Sequence, residues 1–233
     1  FQPIVQAKTE RIFAAEALLR YRNAEGELIP PFRFIDQLEE SGLIVPVGRW
    51  IIDTALKACV ECQKGKPDFK GSINFSYVQI LKSAVYDDLV AAIERYHLKP
   101  ESVIVELTES GYLARSTLVT NLWHKLKEYG VQMALDDFGT GYSNLINLSQ
   151  MKPDILKIDR EFTVKALHSE YEHELLTRII DMVHSLNIKE VVEGIEEKDE
   201  LDRITALGLD YIQGYYYSKP CPLDDFKEQF IRA

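Results

Sequence analysis

Short apolar segments alternate with longer amphipathic segments along most of the chain. The short segments are rich in β-branched residues, which predicts β-strands. They occupy residues 2–6, 14–21, 72–76, 103–108, 131–138, 155–159, 190–194 and 211–217. Helical periodicity between the strands predicts helices over residues 50–63, 89–96 and 118–129, and another around the stripe Leu176, Ile179, Ile180 and Val183.

This alternation of strands and helices predicts an α/β fold with a mostly parallel sheet. About eight strands favour a closed (β/α)8 TIM-like barrel over an open, doubly wound sheet. The first two strands are separated only by residues 7–13, which is too short for a helical crossover. They are therefore predicted to form a hairpin, so that one strand runs antiparallel to the others.

The composition supports one large domain over residues 1–233 that is not built to bind a nucleic-acid polymer. The chain is 46% hydrophobic and 27% charged, and 27 Lys and Arg against 37 Asp and Glu give a formal net charge of −10. Such an acidic balance disfavours binding to a polymer of phosphates. No run of about 18 apolar residues predicts a membrane span, and no secretion signal opens the sequence. Direct membrane contact is not expected.

The cysteines predict a reducing, cytoplasmic environment. Three cysteines cannot form a disulfide framework. Cys59 and Cys62 have the CxxC spacing, but they lie in a predicted helix without a second pair, so a zinc site is not expected there. The five histidines show no spacing typical of metal ligands.

Polar residues interrupt the predicted strands at or near their C-terminal ends. In a barrel these ends converge on one mouth, where active sites are assembled. Asn74, Glu106, Lys157 and Glu193 each lie in such a position. The second strand adds Glu16, the last adds Gln213, and the adjacent acids Asp136 and Asp137 follow Leu135.

Asp136 and Asp137 open the stretch LDDFGTGYSNL at residues 135–145. Neighbouring strand residues point to opposite faces, but where a strand twists into a loop both carboxylates can turn toward one cation or a pair. Gly139 and Gly141 allow the tight backbone that such a loop needs. A lone pair of this kind is also typical of an aspartate that caps a turn.

So many carboxylates in one cleft would require cations. Oxygen donors without histidine or cysteine favour Mg²⁺ or Mn²⁺ over zinc. Two such ions bridged by a shared carboxylate would suit attack by activated water on a phosphodiester. The alternative is that these are unrelated acids at strand ends.

The residues also resemble the motifs of the EAL domain family, in the family's order and over essentially the whole chain. The first is Glu16-Ala17-Leu18-Leu19-Arg20. The later ones are Asn74-Phe75-Ser76, Glu106-Leu107-Thr108-Glu109, the stretch LDDFGTGYS, Lys157-Ile158-Asp159, Glu193-Gly194-Ile195-Glu196 and Gln213-Gly214-Tyr215. The resemblance implies a phosphodiesterase that linearises the bacterial second messenger cyclic di-GMP to pGpG. It also implies a (β/α)8-like barrel with one antiparallel strand.

The resemblance also assigns roles. One metal would be held by Glu16, Asn74, Glu106 and Asp136, and a second by Asp136 near Asp137 and Glu193. Lys157 would orient or activate the attacking water, its proton affinity lowered by the cations, and Glu193 would be a general base or a metal ligand. Substrate contacts would come from Gln2, Leu19, Arg20 and Gln213, and Glu109 would brace the loop over residues 138–145.

The same resemblance implies two Mg²⁺ or Mn²⁺ ions per site, inhibition by Ca²⁺ and a homodimer. Without it, Lys157 reads as a rim lysine, Gln213 as a strand-end amide and Glu109 as a helix cap. The chain opens directly on Phe1, which suggests a fragment of a multidomain protein with a GGDEF or sensor domain. The domain would face the cytoplasm even if that protein were membrane-anchored.

Three places depart from the usual family pattern: Val192, Asp36 and the pair Tyr77-Val78. None removes a metal ligand, so they bear on substrate affinity more than on chemistry. Two other functions remain open at this point. One is a catalytically inactive cyclic di-GMP receptor or protein-interaction module, and the other is a barrel enzyme acting on a different phosphodiester.

Overall fold

The computed structural model describes residues 1–108, 117–140 and 145–232. Its strands are β1 Gln2–Gln6, β2 Ile12–Ala17, β3 Tyr21–Arg22, β4 Leu28–Ile29, β5 Lys70–Asn74, β6 Val103–Thr108, β7 Gln132–Phe138, β8 Ile155–Ile158, β9 Lys189–Glu193 and β10 Tyr211–Gln213.

Eight of these strands close into a barrel in the order β1-β10-β9-β8-β7-β6-β5-β2. β1 is antiparallel to both of its neighbours, β2 and β10, whereas the other described neighbours pair in parallel. The predicted hairpin, the barrel and its single antiparallel strand are confirmed.

Two predicted strands are too long. The segment predicted over residues 14–21 leaves the barrel after Ala17, and Tyr21–Arg22 instead pairs with Leu28–Ile29 in a separate two-stranded ribbon. The segment predicted over residues 211–217 ends at Gln213. The chain turns there, because the backbone N–H of Tyr217 donates back to the carbonyl of Gly214 at 3.2 Å.

Helices surround the barrel. They are α1 Ile35–Ser41, α2 Ile44–Gln63, α3 Tyr77–Lys82, α4 Val85–Arg95, α5 Thr117–Tyr129, α6 Leu145–Met151, α7 Arg160–His168, α8 Glu170–Ser185, α9 Lys198–Thr205 and α10 Leu223–Phe230, with 3-10 turns at Pro31–Arg33 and Pro100–Ser102.

The predicted helices correspond to the four longest, α2, α4, α5 and α8. α2 begins six residues before its predicted start. It includes Pro46 in its first turn, where proline does not break a helix. The shorter helices have too few turns to give a clear periodicity. None of the helices in the described ranges is both long and apolar enough to cross a membrane.

The barrel interior is layered, and the layers position the site. One inward layer is apolar and consists of Ile4, Ala14, Ile104, Ala134, Ile155 and Val191. Side chains two residues apart on a strand point to the same face. The next inward position on each of these strands therefore lies at the barrel mouth, where the C-terminal ends of the parallel strands meet.

Candidate functional site

That mouth layer is polar on every strand of the barrel. All eight of its side chains belong to residues predicted from the sequence to form the site. They are Gln2, Glu16, Asn74, Glu106, Asp136, Lys157, Glu193 and Gln213. Gln2 joins them because β1 is antiparallel and its first residues lie at this end, opposite Glu16.

Lys157 is at the centre of this layer and is 2% exposed. Its Nζ lies 3.1 Å from Glu16, 2.7 Å from Glu106, 2.8 Å from Glu193 and 3.5 Å from Asp136, measured to a carboxylate oxygen in each case. The rim-lysine alternative is therefore wrong, because one ammonium group joins carboxylates from four strands.

Burial alone would lower the pKa of Lys157, but the surrounding carboxylates, led by Asp136 and Glu106, raise it well above its usual range. From the family resemblance, neighbouring cations are expected to lower the proton affinity of Lys157. The protein's own carboxylates have the opposite effect and raise it. Lys157 is held as a charged ammonium group by its neighbours.

The carboxylates around Lys157 respond differently to burial. Burial raises the pKa of Glu193 to about 8, although Lys157 opposes the shift. Burial and the charge of Glu16 raise the pKa of Glu106 well above its usual range. The pKa of Glu16 is instead lowered, because Lys157 and the amides of Gln213 and Asn74 outweigh the effect of burial. Burial and mutual repulsion therefore disfavour ionisation of all these carboxyls at once, with Lys157 as their shared counter-charge.

Asp137 adopts an unusual backbone conformation beside this cluster. Its φ is +60°, in the left-handed region, and the pairing of β7 with β8 shifts register between Leu135 and Phe138. Burial and the charge of Asp136 raise the pKa of Asp137 to about 6. This irregularity interrupts the regular pairing of β7 with β8 at the two acids.

Asp136 contacts both the start of the following turn and the central lysine. Its Oδ1 accepts a hydrogen bond from the backbone N–H of Asp137 at 2.9 Å, and the same oxygen is the one nearest Lys157. The loop then passes through Gly139, whose φ is +107° and where an added Cβ would lie 2.8 Å from the Cβ of Phe162. A glycine is therefore required at this turn.

Amide side chains fix the orientation of Glu16. The Nδ2 of Asn74 donates to Glu16 Oε1 and the Nε2 of Gln213 donates to Glu16 Oε2, both at 2.6 Å. Gln213 Nε2 also lies 3.3 Å from Gln2 Oε1. The Oε1 of Gln213 is buried and accepts no hydrogen bond from any residue in the described ranges. This oxygen is available to a ligand.

Ser72 is a residue that sequence reasoning missed. Its hydroxyl donates to Glu106, and the residue is fully buried. The signal was available, since Ser72 lies two positions before Asn74 on β5 and therefore faces the same side.

Two cavities open beside the cluster. The smaller, of about 180 Å³, is lined by Gln2, Glu193 and Gln213 together with Arg160, which sequence reasoning also missed. The larger, of about 470 Å³, is lined by Leu19 and Asn74, among others.

Of the other two residues predicted from the sequence, the structure describes only Arg20. Arg20 is not among the residues that line either cavity in the described structure, and its Nη1 donates to the carbonyl of Leu19 at 2.7 Å. Glu109 and part of the loop over residues 138–145 lie outside the described residues.

The donor set fits divalent cations that prefer oxygen ligands. Glu16, Glu106, Asp136, Asp137 and Glu193 supply carboxylates, and Asn74 supplies an amide oxygen that its bond to Glu16 does not use. When all five acids are ionised, Lys157 leaves four negative charges uncompensated. Two divalent cations would cancel them, and oxygen donors of this kind suit Mg²⁺ or Mn²⁺.

Comparison with known proteins gives one consistent family. The model of the EAL domain matches residues 1–220. The bifunctional diguanylate cyclase/cyclic di-GMP phosphodiesterase MucR of Pseudomonas aeruginosa is 32% identical over 225 residues, which is 96% of this chain and 33% of MucR. The cyclic di-GMP phosphodiesterase PdeR of Escherichia coli is 32% identical over 100% of this chain and 35% of PdeR. The chain thus spans about a third of these relatives.

Solved structures agree with the sequence comparison. The EAL enzyme Bd1971, in a form with cAMP and cyclic di-GMP bound, has a TM-score of 0.92 and 34% identity, covering 97% of this chain and 62% of that one. The PaMucR phosphodiesterase in complex with c-di-GMP has a TM-score of 0.89 and 32% identity, covering 97% of this chain and 92% of that one. On the family match and these likenesses, the chain belongs to the EAL domain family.

Proposed function

We propose that this chain hydrolyses cyclic di-GMP to linear pGpG with the help of two divalent ions, Mg²⁺ or Mn²⁺. The observation that carries the proposal is the cluster of carboxylates around the buried Lys157 at the barrel mouth. Ionising all of these buried acids is costly unless cations bind them, and without cations they respond by raised pKa values. The names of MucR and PdeR, both cyclic di-GMP phosphodiesterases, support the choice of substrate.

Four residues are proposed to hold the first ion: Glu16, Asn74, Glu106 and Asp136. Asp136 would also reach the second ion, together with Asp137 and Glu193. Bound ions would supply positive charge for the phosphate oxygens and would make water a better nucleophile at neutral pH.

Lys157 and Glu193 are the proposed catalytic residues. Nζ of Lys157 stays protonated and can donate a hydrogen bond that orients the attacking water. The carboxyl of Glu193 lies 2.8 Å from that Nζ, and burial raises its pKa to about 8. A carboxyl with this pKa is largely protonated near neutral pH, so a bound cation that favours its ionised form would prepare Glu193 to take the proton of the water.

Substrate binding is proposed for the two cavities beside the cluster. Gln2 and Gln213 would contact the ligand from the smaller cavity, where the free Oε1 of Gln213 can accept a hydrogen bond. Leu19 would pack against it in the larger cavity. Arg20 would bind phosphate through its guanidinium group, which requires that its bond to the Leu19 carbonyl be given up.

The proposal has four further parts that rest on the family resemblance. Residues 1–233 would form one domain, the chain would form homodimers in the cytoplasm, and Ca²⁺ would inhibit turnover. Glu109 would brace the loop that follows β7.

The test is hydrolysis of cyclic di-GMP by the purified chain, followed by chromatography with Mg²⁺, Mn²⁺, Ca²⁺ or chelator. We expect pGpG with Mg²⁺ or Mn²⁺ only. Glu16→Ala and Lys157→Ala should abolish turnover, whereas Lys165→Ala, at an exposed ion pair on α7, should not. Cyclic di-GMP that binds but stays intact would instead identify a receptor, and preferential turnover of another cyclic nucleotide would replace the proposed substrate.

A further inference from the structure

A second cluster of ionisable side chains lies at the opposite end of β9 from Glu193. It consists of His184 near the end of α8, Glu190 in β9 and Asp210 just before β10. Glu190 is three strand residues from Glu193, about 10 Å along the strand, and its side chain points to the other face. The cluster therefore lies between the barrel wall and α8, apart from the proposed active site.

The three side chains point their ligand atoms at one another. His184 Nε2 lies 2.8 Å from Glu190 Oε2 and 3.2 Å from Asp210 Oδ2. The second oxygen of each carboxylate is already engaged. Glu190 Oε1 accepts the backbone N–H of Asp210 at 2.6 Å, and Asp210 Oδ1 lies 2.7 Å from the Nζ of Lys189. These contacts hold both carboxylates in the orientation that aims their free oxygens at His184.

Those two free oxygens are buried without a hydrogen bond. Glu190 is 0% exposed, and neither Glu190 Oε2 nor Asp210 Oδ2 accepts a hydrogen bond from any residue that the structure describes. An unsatisfied buried carboxylate oxygen is costly. The cost is removed if a cation occupies the point on which the oxygens and the imidazole converge.

We propose that His184, Glu190 and Asp210 bind a divalent transition-metal ion of the zinc class. Three atoms bound to a tetrahedral Zn²⁺ at about 2.0–2.2 Å lie about 3.3–3.6 Å from one another. The two distances from His184 Nε2 are 2.8 and 3.2 Å, so the side chains need to move little. The imidazole nitrogen favours zinc over Mg²⁺ and Ca²⁺, which prefer oxygen ligands.

A metal ion can reach this cluster from solvent, and its binding would link three elements of the fold. The side chain of His184 is 37% exposed, so an ion can enter from solvent and keep a water as its fourth ligand. A bound ion would tie the C-terminal end of α8 to β9 and β10, the strands that carry Glu193 and Gln213. This site does not depend on the proposed phosphodiesterase activity. The competing state of the cluster is a protonated His184 that pairs with the two carboxylates.

The experiment compares Zn²⁺ binding by the wild-type chain, His184→Asn and the control His124→Asn, which changes an exposed histidine of α5. Excess Mg²⁺ is present throughout to occupy the oxygen-ligand cluster at the barrel mouth. We expect one more Zn²⁺ per chain by calorimetry in the wild type and in H124N than in H184N. Added Zn²⁺ should raise the Tm of the first two proteins more than that of H184N.

Zinc X-ray absorption separates the two clusters directly, since the residues proposed for the barrel mouth include no histidine. The extra ion should show scattering from one imidazole ring in the wild type and none in H184N. Equal stoichiometry in all three proteins, or bound zinc without imidazole scattering, would overturn the proposal and leave the protonated His184 pairing. If H184N does not fold, Asp210→Asn at a partly exposed carboxylate gives the same comparison.

Discussion

Replacing Lys157 by methionine tests the electrostatic account of the barrel mouth. The substitution keeps a long, unbranched side chain but removes the one ammonium group that contacts four carboxylates. Because Lys157 is 2% exposed, solvent compensates little for the loss of its positive charge. Breaking a buried ion pair by removing one partner typically costs about 3–5 kcal/mol.

That cost converts into a measurable shift in thermal stability. An unfolding entropy of about 2.1 cal/mol/K per residue over 233 residues is roughly 0.5 kcal/mol/K. In chelator at mildly alkaline pH, Lys157→Met should therefore lower the Tm by about 6–10 °C. Added Mg²⁺ should recover part of this loss and should raise the Tm of the variant more than that of the wild type, because cations neutralise the same carboxylates.

The assay is calorimetry or circular dichroism with chelator and with Mg²⁺, alongside Lys165→Met. Lys165 forms an exposed i,i+4 ion pair with Glu161, so its replacement should leave the Tm unchanged. A Tm for Lys157→Met that matches the wild type in chelator would refute the view that this lysine compensates the buried acids.

Three further results are expected. Ser72→Ala should lower metal affinity or turnover by about 10–100-fold, because the Ser72 hydroxyl donates to Glu106 of the mouth layer. Metal titration and kinetics measure the effect, and an unchanged metal titration would contradict this role. Gly214→Ala should destabilise the fold by more than about 2 kcal/mol in denaturant titration, because the added Cβ would lie 2.1 Å from the carbonyl oxygen of Ile195; wild-type stability would contradict the clash. Thiol alkylation of the folded chain should modify Cys221 alone, because burial raises the pKa of Cys59 to about 12 and that of Cys62 to about 11. Rapid labelling of all three cysteines would contradict the buried packing of α2.

The barrel could be predicted because strand and helix periods differ along the sequence. The antiparallel β1 followed from a connection too short for a helix, and the structure confirms it. The ends of β2 and β10 could not be predicted, since the apolar pattern continues after the chain has left the barrel wall. What ends these strands is turn geometry and pairing with other segments, which the local pattern does not encode.

The site was predictable where one residue per strand carried the signal. Polar residues at strand ends identified seven members of the mouth layer, because side chains alternate regularly along each strand. The eighth, Gln2, was predicted from the family resemblance. The central position of Lys157 was not predictable, since it depends on the stagger between strands and on the reach of a long side chain. The contact between His184 and Glu190 was not predictable either. It forms because the chain turns between the end of α8 and the start of β9, over five intervening residues.

In the proposed reaction, water attacks a phosphodiester of cyclic di-GMP at this cluster. The most direct measurement is turnover in water enriched in ¹⁸O, with Mg²⁺ or Mn²⁺, followed by mass spectrometry of the product. The wild type should form pGpG with one ¹⁸O atom on its terminal phosphate, and Glu16→Ala should not. Intact cyclic di-GMP, or a linear product without the label, would contradict the proposed reaction.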